Sequence, residues 1–236
     1  MIMTPRQLPL DLPHSPSNSR DDLVVSEANR LAVGAVDSWP AWPHPVVVAV
    51  GPEGSGKTHL AEVFTEHAQA VVLTPDAVDV VLAAGPFAAT LDDVDSGRFS
   101  EAQLFAILNA ARLGQGTVFA TARQMPAAMP VRLPDLASRL RAATVVPIRA
   151  PDDELLIGVL AKLFADRQLL VEDRILTFLA ARMERSLAEA VHLVDAVDRE
   201  ALSTKSGVNL SLVKRVLDRQ PAAVMSKGER RAPLHD

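Results

Sequence analysis

The sequence predicts an α/β fold: a parallel β-sheet covered by helices on both faces, followed by a small all-helical lid. Three observations predict it. An apolar run, Val46-Val-Val-Ala-Val50, passes through the glycine-rich segment Gly51–Thr58 into a helical run, Leu60–Phe64. Short apolar runs then alternate with helical patterns as far as Ile148, as they do when parallel strands are joined by crossover helices. From residue 152 the strand runs stop and helical periodicity continues alone.

Composition bounds the reading. A chain of 236 residues holds one α/β core and a small second unit. Apolar residues make up 48%, enough for a substantial core, but aromatics only 4%, so aliphatic side chains must fill it. With no cysteine, disulfide and thiol chemistry are excluded and a cytoplasmic location is expected. No apolar run approaches the roughly 20 residues of a membrane span, and the N-terminus has neither signal-peptide nor transit-peptide layout. A net charge of −5 argues against a general nucleic-acid coat.

Taken in order, residues 1–20 are rich in Pro, Ser, Asn and Asp and predict a flexible arm. Leu23-Val-Val25 is strand-like and precedes a helix to about Trp39; Trp39–Pro45 is a stiff connector. The first strand of the sheet is Val46–Val50. Val71-Val-Leu-Thr74 predicts the next strand, and Thr74-Pro75 a helix start with proline at the first helical position. Phe87–Leu91 is an apolar strand run ending in Asp92 and Asp93. Ser100-Glu-Ala-Gln103 is a capping box, with Leu104, Ile107, Leu108 and Ala111 at core spacing behind it. Gly116–Thr121 and Val145–Ile148 complete the strands. Helices are predicted over 152–168, 172–183, 186–203 and 209–219, and residues 220–236 as a disordered tail.

Residues 51 to 58 match G-x-x-x-x-G-K-T without a mismatch, between a strand and a helix. Glycines there let backbone N–H groups turn onto phosphate oxygens, and the helix start adds its positive end. The motif predicts a nucleoside di- or triphosphate held by Gly51, Gly54, Ser55, Gly56, Lys57, Thr58 and His59. Lys57 is placed for the phosphates and Thr58 for Mg²⁺. A carboxylate ending a strand beside that loop holds Mg²⁺, and a second orients the attacking water; this assigns Asp92 and Asp93 respectively. The plainer alternative is an acidic turn.

In the N-terminal arm, Gln7-Leu8-Pro9-Leu10-Asp11-Leu12 is either an accidental apolar cluster or a linear docking motif. In the second case Gln7 enters a polar pocket, Leu8, Leu10 and Leu12 form the apolar stripe, and Pro9 keeps the backbone extended. The pattern resembles the peptide by which bacterial proteins dock on the DNA polymerase sliding clamp.

Together, Gly51–His59, Leu91-Asp92-Asp93, Leu133–Leu140 with its Ser138-Arg139-Leu140, Arg185 and the helical Val194–Leu202 resemble the DnaA/Hda family of AAA+ proteins. The likeness is greatest to its shortened Hda members, which reset the replication initiator DnaA. It runs from Leu23 to Leu217, and to Gln7 if the docking peptide is included. The resemblance implies an AAA+ domain over 21–150 and a helical lid over 151–219, with ADP or ATP and Mg²⁺ as cofactors. It implies that Arg139 is an arginine finger reaching nucleotide on a neighbouring subunit, that Arg185 touches the phosphates from the lid, and that Asp22–Val25 and Asn29 lie by the adenine ring. It implies the sliding clamp and DnaA as partners, with a second copy of the chain as another candidate neighbour. For either arginine, residue type alone would equally suit a solvated helix end.

Two departures shape the expected function. Only a short tail follows the lid, leaving no room for a helix-turn-helix domain, so sequence-specific DNA binding is not expected. Thr121-Ala122-Arg123 stands where the family usually has a polar-then-acidic pair, and Ala122 cannot position water, implying weak or no autonomous ATPase activity. The expected function is negative regulation of replication initiation, by promoting hydrolysis of DnaA-bound ATP at the clamp. The competing reading is an autonomous AAA+ ATPase acting as a helicase loader. A small-acceptor kinase is disfavoured by the helical lid and the missing acceptor pocket.

Overall fold

The computed structural model describes residues 19–20 and 23–219. The docking peptide Gln7–Leu12, Asp22 and the tail 220–236 lie outside the described residues. Five parallel strands form one sheet in the order β2-β3-β4-β1-β5. They are β1 (Val46–Val50), β2 (Val71–Val72), β3 (Phe87–Leu91), β4 (Gly116–Ala122) and β5 (Thr144–Pro147).

Strand alternation sends side chains to two faces, and both are covered. Val46, Val48 and Val50 of β1 pack with Leu91, Val118, Ile107 and Leu136 on one side. That side carries α3 (Val78–Ala84), α4 (Glu101–Arg112) and α5 (Pro134–Ala142). Val47 and Ala49 face the other way, against Phe64, Phe119 and Val33, under α1 (Arg30–Asp37) and α2 (Lys57–Ala68). Aliphatic residues dominate, but one aromatic stack runs through this second layer: Trp42 lies 5.3 Å from Phe64, which lies 4.9 Å from Phe119.

The remaining helices are α6 (Asp153–Asp166), α7 (Asp173–Ala180), α8 (Leu187–Thr204) and α9 (Leu210–Arg219). They enclose their own core of Leu156, Leu160, Phe164, Leu179, Leu193, Val197 and Leu212. Each predicted helix in this unit exists: each starts one residue later than expected, α6 and α7 end two and three residues early, α8 runs one residue longer, and α9 ends as expected.

Three local expectations change. Leu23–Val25 forms no strand; it is a loop pinned by Asn29, whose side chain accepts from the Ser26 N–H and donates to the Val24 carbonyl. The helix expected to reach Trp39 ends at Asp37, where Arg20 pairs with its carboxylate. The strand expected over Val71–Thr74 shortens to Val71–Val72 at the sheet edge, while Leu73 turns inward into the core. The predicted Ser100–Gln103 capping box is present in both directions.

Candidate nucleotide-binding site

The glycine-rich loop leaves the C-terminal end of β1, the central-edge crevice where open α/β sheets bind ligands. Gly51 donates its N–H to the Ala122 carbonyl, tying the loop to β4. Gly54 and Gly56 have φ of +72° and +89°, a region that favours glycine. Both also lie against the lid: a Cβ on Gly54 would come within 2.4 Å of Ser186 Oγ, and one on Gly56 within 2.8 Å of Leu187 Cδ1. The Leu187 N–H donates to the Gly54 carbonyl at 2.9 Å, so the first turn of α8 docks on the loop itself.

Lys57 opens α2, is buried, and donates from Nζ to the Pro52 carbonyl at 2.8 Å. Burial holds its ammonium below the ordinary lysine value; the Asp93 carboxylate counteracts this and Arg123 adds to it. Ser55 is buried, its hydroxyl on the same Pro52 carbonyl.

A polar chain runs across the strand ends. Thr58 Oγ1 donates to Asp92 Oδ2 at 3.0 Å, and Thr121 Oγ1 donates to Asp92 Oδ1 at 2.5 Å. Thr121 Oγ1 in turn accepts the Asp93 N–H at 2.8 Å, holding Asp93 at a φ of +53°. The three residues come from α2, the end of β3 and β4, which the sheet order makes neighbours. Arg123, just past β4, has Nη1 at 3.1 Å from Glu53 Oε2 and Nη2 at 3.8 Å from Asp93 Oδ2. Its backbone N–H and that of Gln124 both donate to Asp95 Oδ2.

Of these residues Glu53, Lys57, Thr58, Asp93 and Arg123 line a cavity of about 500 Å³, while Asp92 and Thr121 lie outside its lining. Leu23, Val24, Ile148, Leu155, Val159 and Leu163 give the lining an apolar part, and Asn29, His59, Glu62, Lys162 and Asp166 line it as well. His59 is held below its ordinary pKa chiefly by burial. A cavity lined by both charged and apolar side chains suits a molecule with phosphates and a flat base. Among the described residues no cluster of three or more His, Cys, Asp or Glu is arranged for a metal ion.

The two arginines behave differently from the sequence expectation. Arg185 is exposed and lies outside the cavity lining: Nη1 is 2.7 Å from Asp153 Oδ1, and Nε donates to the Pro151 carbonyl. The residues after it that do line the cavity are Leu187, Ala188 and Val191. Arg139, on α5, is half-buried against α4. Its Nη2 donates to Asn109 Oδ1 at 2.9 Å, its guanidinium carbon lies 5.6 Å from the Phe105 ring centre, and its Nε is buried with no hydrogen-bond partner among the described residues. Sequence reasoning singled out the Thr121-Ala122-Arg123 segment but assigned no role at the site to Thr121 or Arg123. The signal was present, because both stand at the C-terminal end of a strand adjacent to β1.

The fold is that of the AAA+ nucleotide-binding domains. It takes the DnaA-like form: domain III of DnaA from Thermotoga maritima superposes with a TM-score of 0.71 at 18% identity, covering 88% of this chain and 98% of that one. AMPPCP-bound DnaA from Aquifex aeolicus gives 0.64 at 19% identity over 80% of this chain and 67% of that one. A RuvB variant from Thermotoga maritima gives 0.67 at 15% over 86% and 72%. In sequence, the chain is 27% identical over 185 residues to an uncharacterized protein of Haemophilus influenzae, covering 71% of this chain and 79% of that one. It is 24% identical to the chromosomal replication initiator protein DnaA of Cutibacterium acnes over 86% of this chain, which spans 46% of that protein. No protein-family model matches the chain. Among the described residues no helix is long and apolar enough to cross a membrane.

Proposed function

We propose that this chain is a DnaA-related AAA+ regulator of chromosomal replication initiation. It binds ADP or ATP with Mg²⁺, docks on the DNA polymerase sliding clamp through Gln7, Leu8, Leu10 and Leu12, and promotes hydrolysis of DnaA-bound ATP. The observation that carries the nucleotide part is the Thr58–Asp92–Thr121 hydrogen-bonded chain, whose Thr58 lines the cavity together with Lys57. Its oxygens suit Mg²⁺, which takes hard donors and completes its shell with phosphates and water. When bound, the ion would neutralise phosphate charge. Backbone N–H groups of Gly54, Ser55 and Gly56 cradle the phosphates, Lys57 leaves the Pro52 carbonyl for them, and Asp93 orients water. The apolar part of the lining, with Asn29 fixing the Val24 loop, takes the base.

The regulatory part is supported by the likeness to DnaA in sequence and fold, together with the clamp-like peptide. In this reading Arg139 acts outward, on ATP held by DnaA, after leaving Asn109; the single hydrogen bond given up, about 1.5–3 kcal/mol for a charged donor, is replaced by stronger ones to phosphate. Arg185 reaches the phosphates after leaving Asp153, an exposed pair worth at most about 1 kcal/mol.

The test has three arms. Purified chain binds a fluorescent ADP analogue and Lys57→Ala does not. Gln7→Ala with Leu10→Ala abolishes retention on immobilised clamp. Arg139→Ala abolishes clamp-dependent stimulation of ATP hydrolysis by DnaA. Retention of both clamp binding and stimulation by these variants would remove the regulatory reading.

The intact Asp92–Asp93 geometry favours one second reading, an autonomous ATPase acting as a helicase loader. Steady turnover by the purified chain, lost in Asp93→Asn, would select it.

A further inference from the structure

Beyond the glycine-rich loop the cavity carries a second polar cluster, built on two helices. On α2, His59 and Glu62 follow Lys57 and Thr58, with His59 Nδ1 3.7 Å from Glu62 Oε2. On α6, Lys162 Nζ lies 2.9 Å from Asp166 Oδ2. These two residues stand three positions beyond Val159 and Leu163, on the face of α6 that lines the cavity. The two pairs belong together. His59 is disfavoured as a cation first by burial and also by Lys162 from the other helix, while Glu62 favours it.

A nucleotide has three kinds of surface, and the lining has a match for each. Anionic phosphates suit Lys57 and the N–H groups of the glycine-rich loop. The flat faces of a base suit Leu23, Val24, Leu155 and Val159. Neither suits a cluster with two carboxylates, which repel phosphate and find no donor on the face of a base. Sugar hydroxyls do suit it, because each can donate to a carboxylate and accept from an ammonium. An acidic side chain on a ribose hydroxyl is a recurrent way of holding a nucleotide. Position agrees. Glu62 is five residues past Lys57 on α2, about 7 Å along the helix axis, the scale of the sugar that separates phosphate from base. The Asp166 side chain is 29% exposed and that of Lys162 24%, so this carboxylate is sheltered and held in place. Glu62 is 51% exposed and more loosely held.

We infer that Asp166 and Glu62 accept hydrogen bonds from the two hydroxyls of a ribose, with Lys162 positioning Asp166, so that the site takes ribonucleotides in preference to deoxyribonucleotides. This rests on the nucleotide-binding reading above and adds the sugar to it. Glu62 belongs to the sheet unit and Asp166 to the helical unit, so the sugar is gripped from both. A nucleotide without one hydroxyl loses one of the two grips.

Calorimetric titration of the full chain with ADP, 2′-deoxy-ADP and 3′-deoxy-ADP, each with Mg²⁺, tests this. The wild type is expected to bind ADP about tenfold tighter than either analogue, the loss of one charge-assisted hydrogen bond. Asp166→Ala should bring one analogue to within about twofold of ADP and Glu62→Ala the other, because the missing hydroxyl then has no acceptor to lose. Lys162→Met should narrow the gap that Asp166→Ala closes without closing it. Ratios between nucleotides cancel the general effect of removing a charge near phosphate. A wild type that binds all three alike overturns the inference. So do variants that weaken all three equally, or that change the preference between ADP and inosine diphosphate instead, which would put the cluster on the edge of the base. Thermal melts report whether Asp166→Ala is folded; if it is not, Glu62→Ala, at a half-exposed position, and Lys162→Met decide. A wild type that binds none of these nucleotides overturns the nucleotide-binding reading itself, a result distinct from loss of sugar preference alone.

Discussion

The charged part of the cavity lining and the α4–α5 face each carry arginine, and they treat it in opposite ways. At the cavity, Arg123 meets carboxylates, stands open to solvent and lies beside a lysine, a hydroxyl and two aspartates. On the α4–α5 face, Arg139 is half-buried on a phenylalanine and a neutral amide, with one nitrogen unpartnered. The first arrangement is a charge network whose members can exchange partners for an anion at little cost. The second shelters a cation against apolar surface with only part of its hydrogen-bonding capacity satisfied. An unpaired buried donor is unfavourable, so Arg139 is not at an optimum on its own chain. The difference separates a network of exchangeable ion pairs lining a cavity from a charge held on a packed helix face with bonding capacity in reserve.

The sharpest break of that comparison is at Lys57. Lys57→Ala should cost about 2–3 kcal/mol of nucleotide affinity, roughly a hundredfold, measured by titration, while leaving the reactivity of Arg139 unchanged. Next is Thr121→Val. It removes a donor to Asp92 and leaves the Asp93 N–H without its acceptor in a fully buried position, so urea unfolding should show a loss of about 1–3 kcal/mol. On the other face, Asn109→Ala should cost about 1.5–3 kcal/mol and speed modification of Arg139 by an arginine-selective dicarbonyl, read by mass spectrometry; an unchanged rate would mean that Asn109 does not hold it.

The smallest effect is expected at Glu101. Its carboxylate accepts the Arg132 and Leu133 N–H groups just before α5, and those bonds hold its carboxyl below the ordinary glutamate range. A lowered carboxylate contributes stability that is present above the unfolded value, near pH 4, and is lost as pH falls through the folded one. The melting temperature should therefore fall in acid, and Glu101→Gln should flatten part of that slope.

Much of the fold was written in local pattern. The strand runs at Val46, Phe87, Gly116 and Val145 became parallel strands, and the four late helices kept their places, because burial on both faces or on one helical stripe leaves a periodic mark in sequence. Leu23–Val25 misled because two valines and a leucine suit a cavity wall as well as a strand; the Asn29 side chain settled the matter by taking up the loop's backbone groups. α5 carried the same mark in short form, with Leu136 and Leu140 four residues apart and both buried.

Sequence by itself pointed to the proposed class of ligand, since the G-x-x-x-x-G-K-T pattern at Gly51–Thr58 stands within eight consecutive positions between a strand and a helix. It could not decide which distant groups meet that loop. Thr121 and Arg123 reach Asp92 and Asp93 only because the strand order puts β4 between β1 and β3, and Leu187, Ala188 and Val191 rather than Arg185 line the cavity because the first turn of α8 docks on the glycine-rich loop while Arg185 pairs with Asp153. Those are facts of non-local packing, and a side chain's direction at long range is set by the elements it packs on, not by its neighbours in the chain.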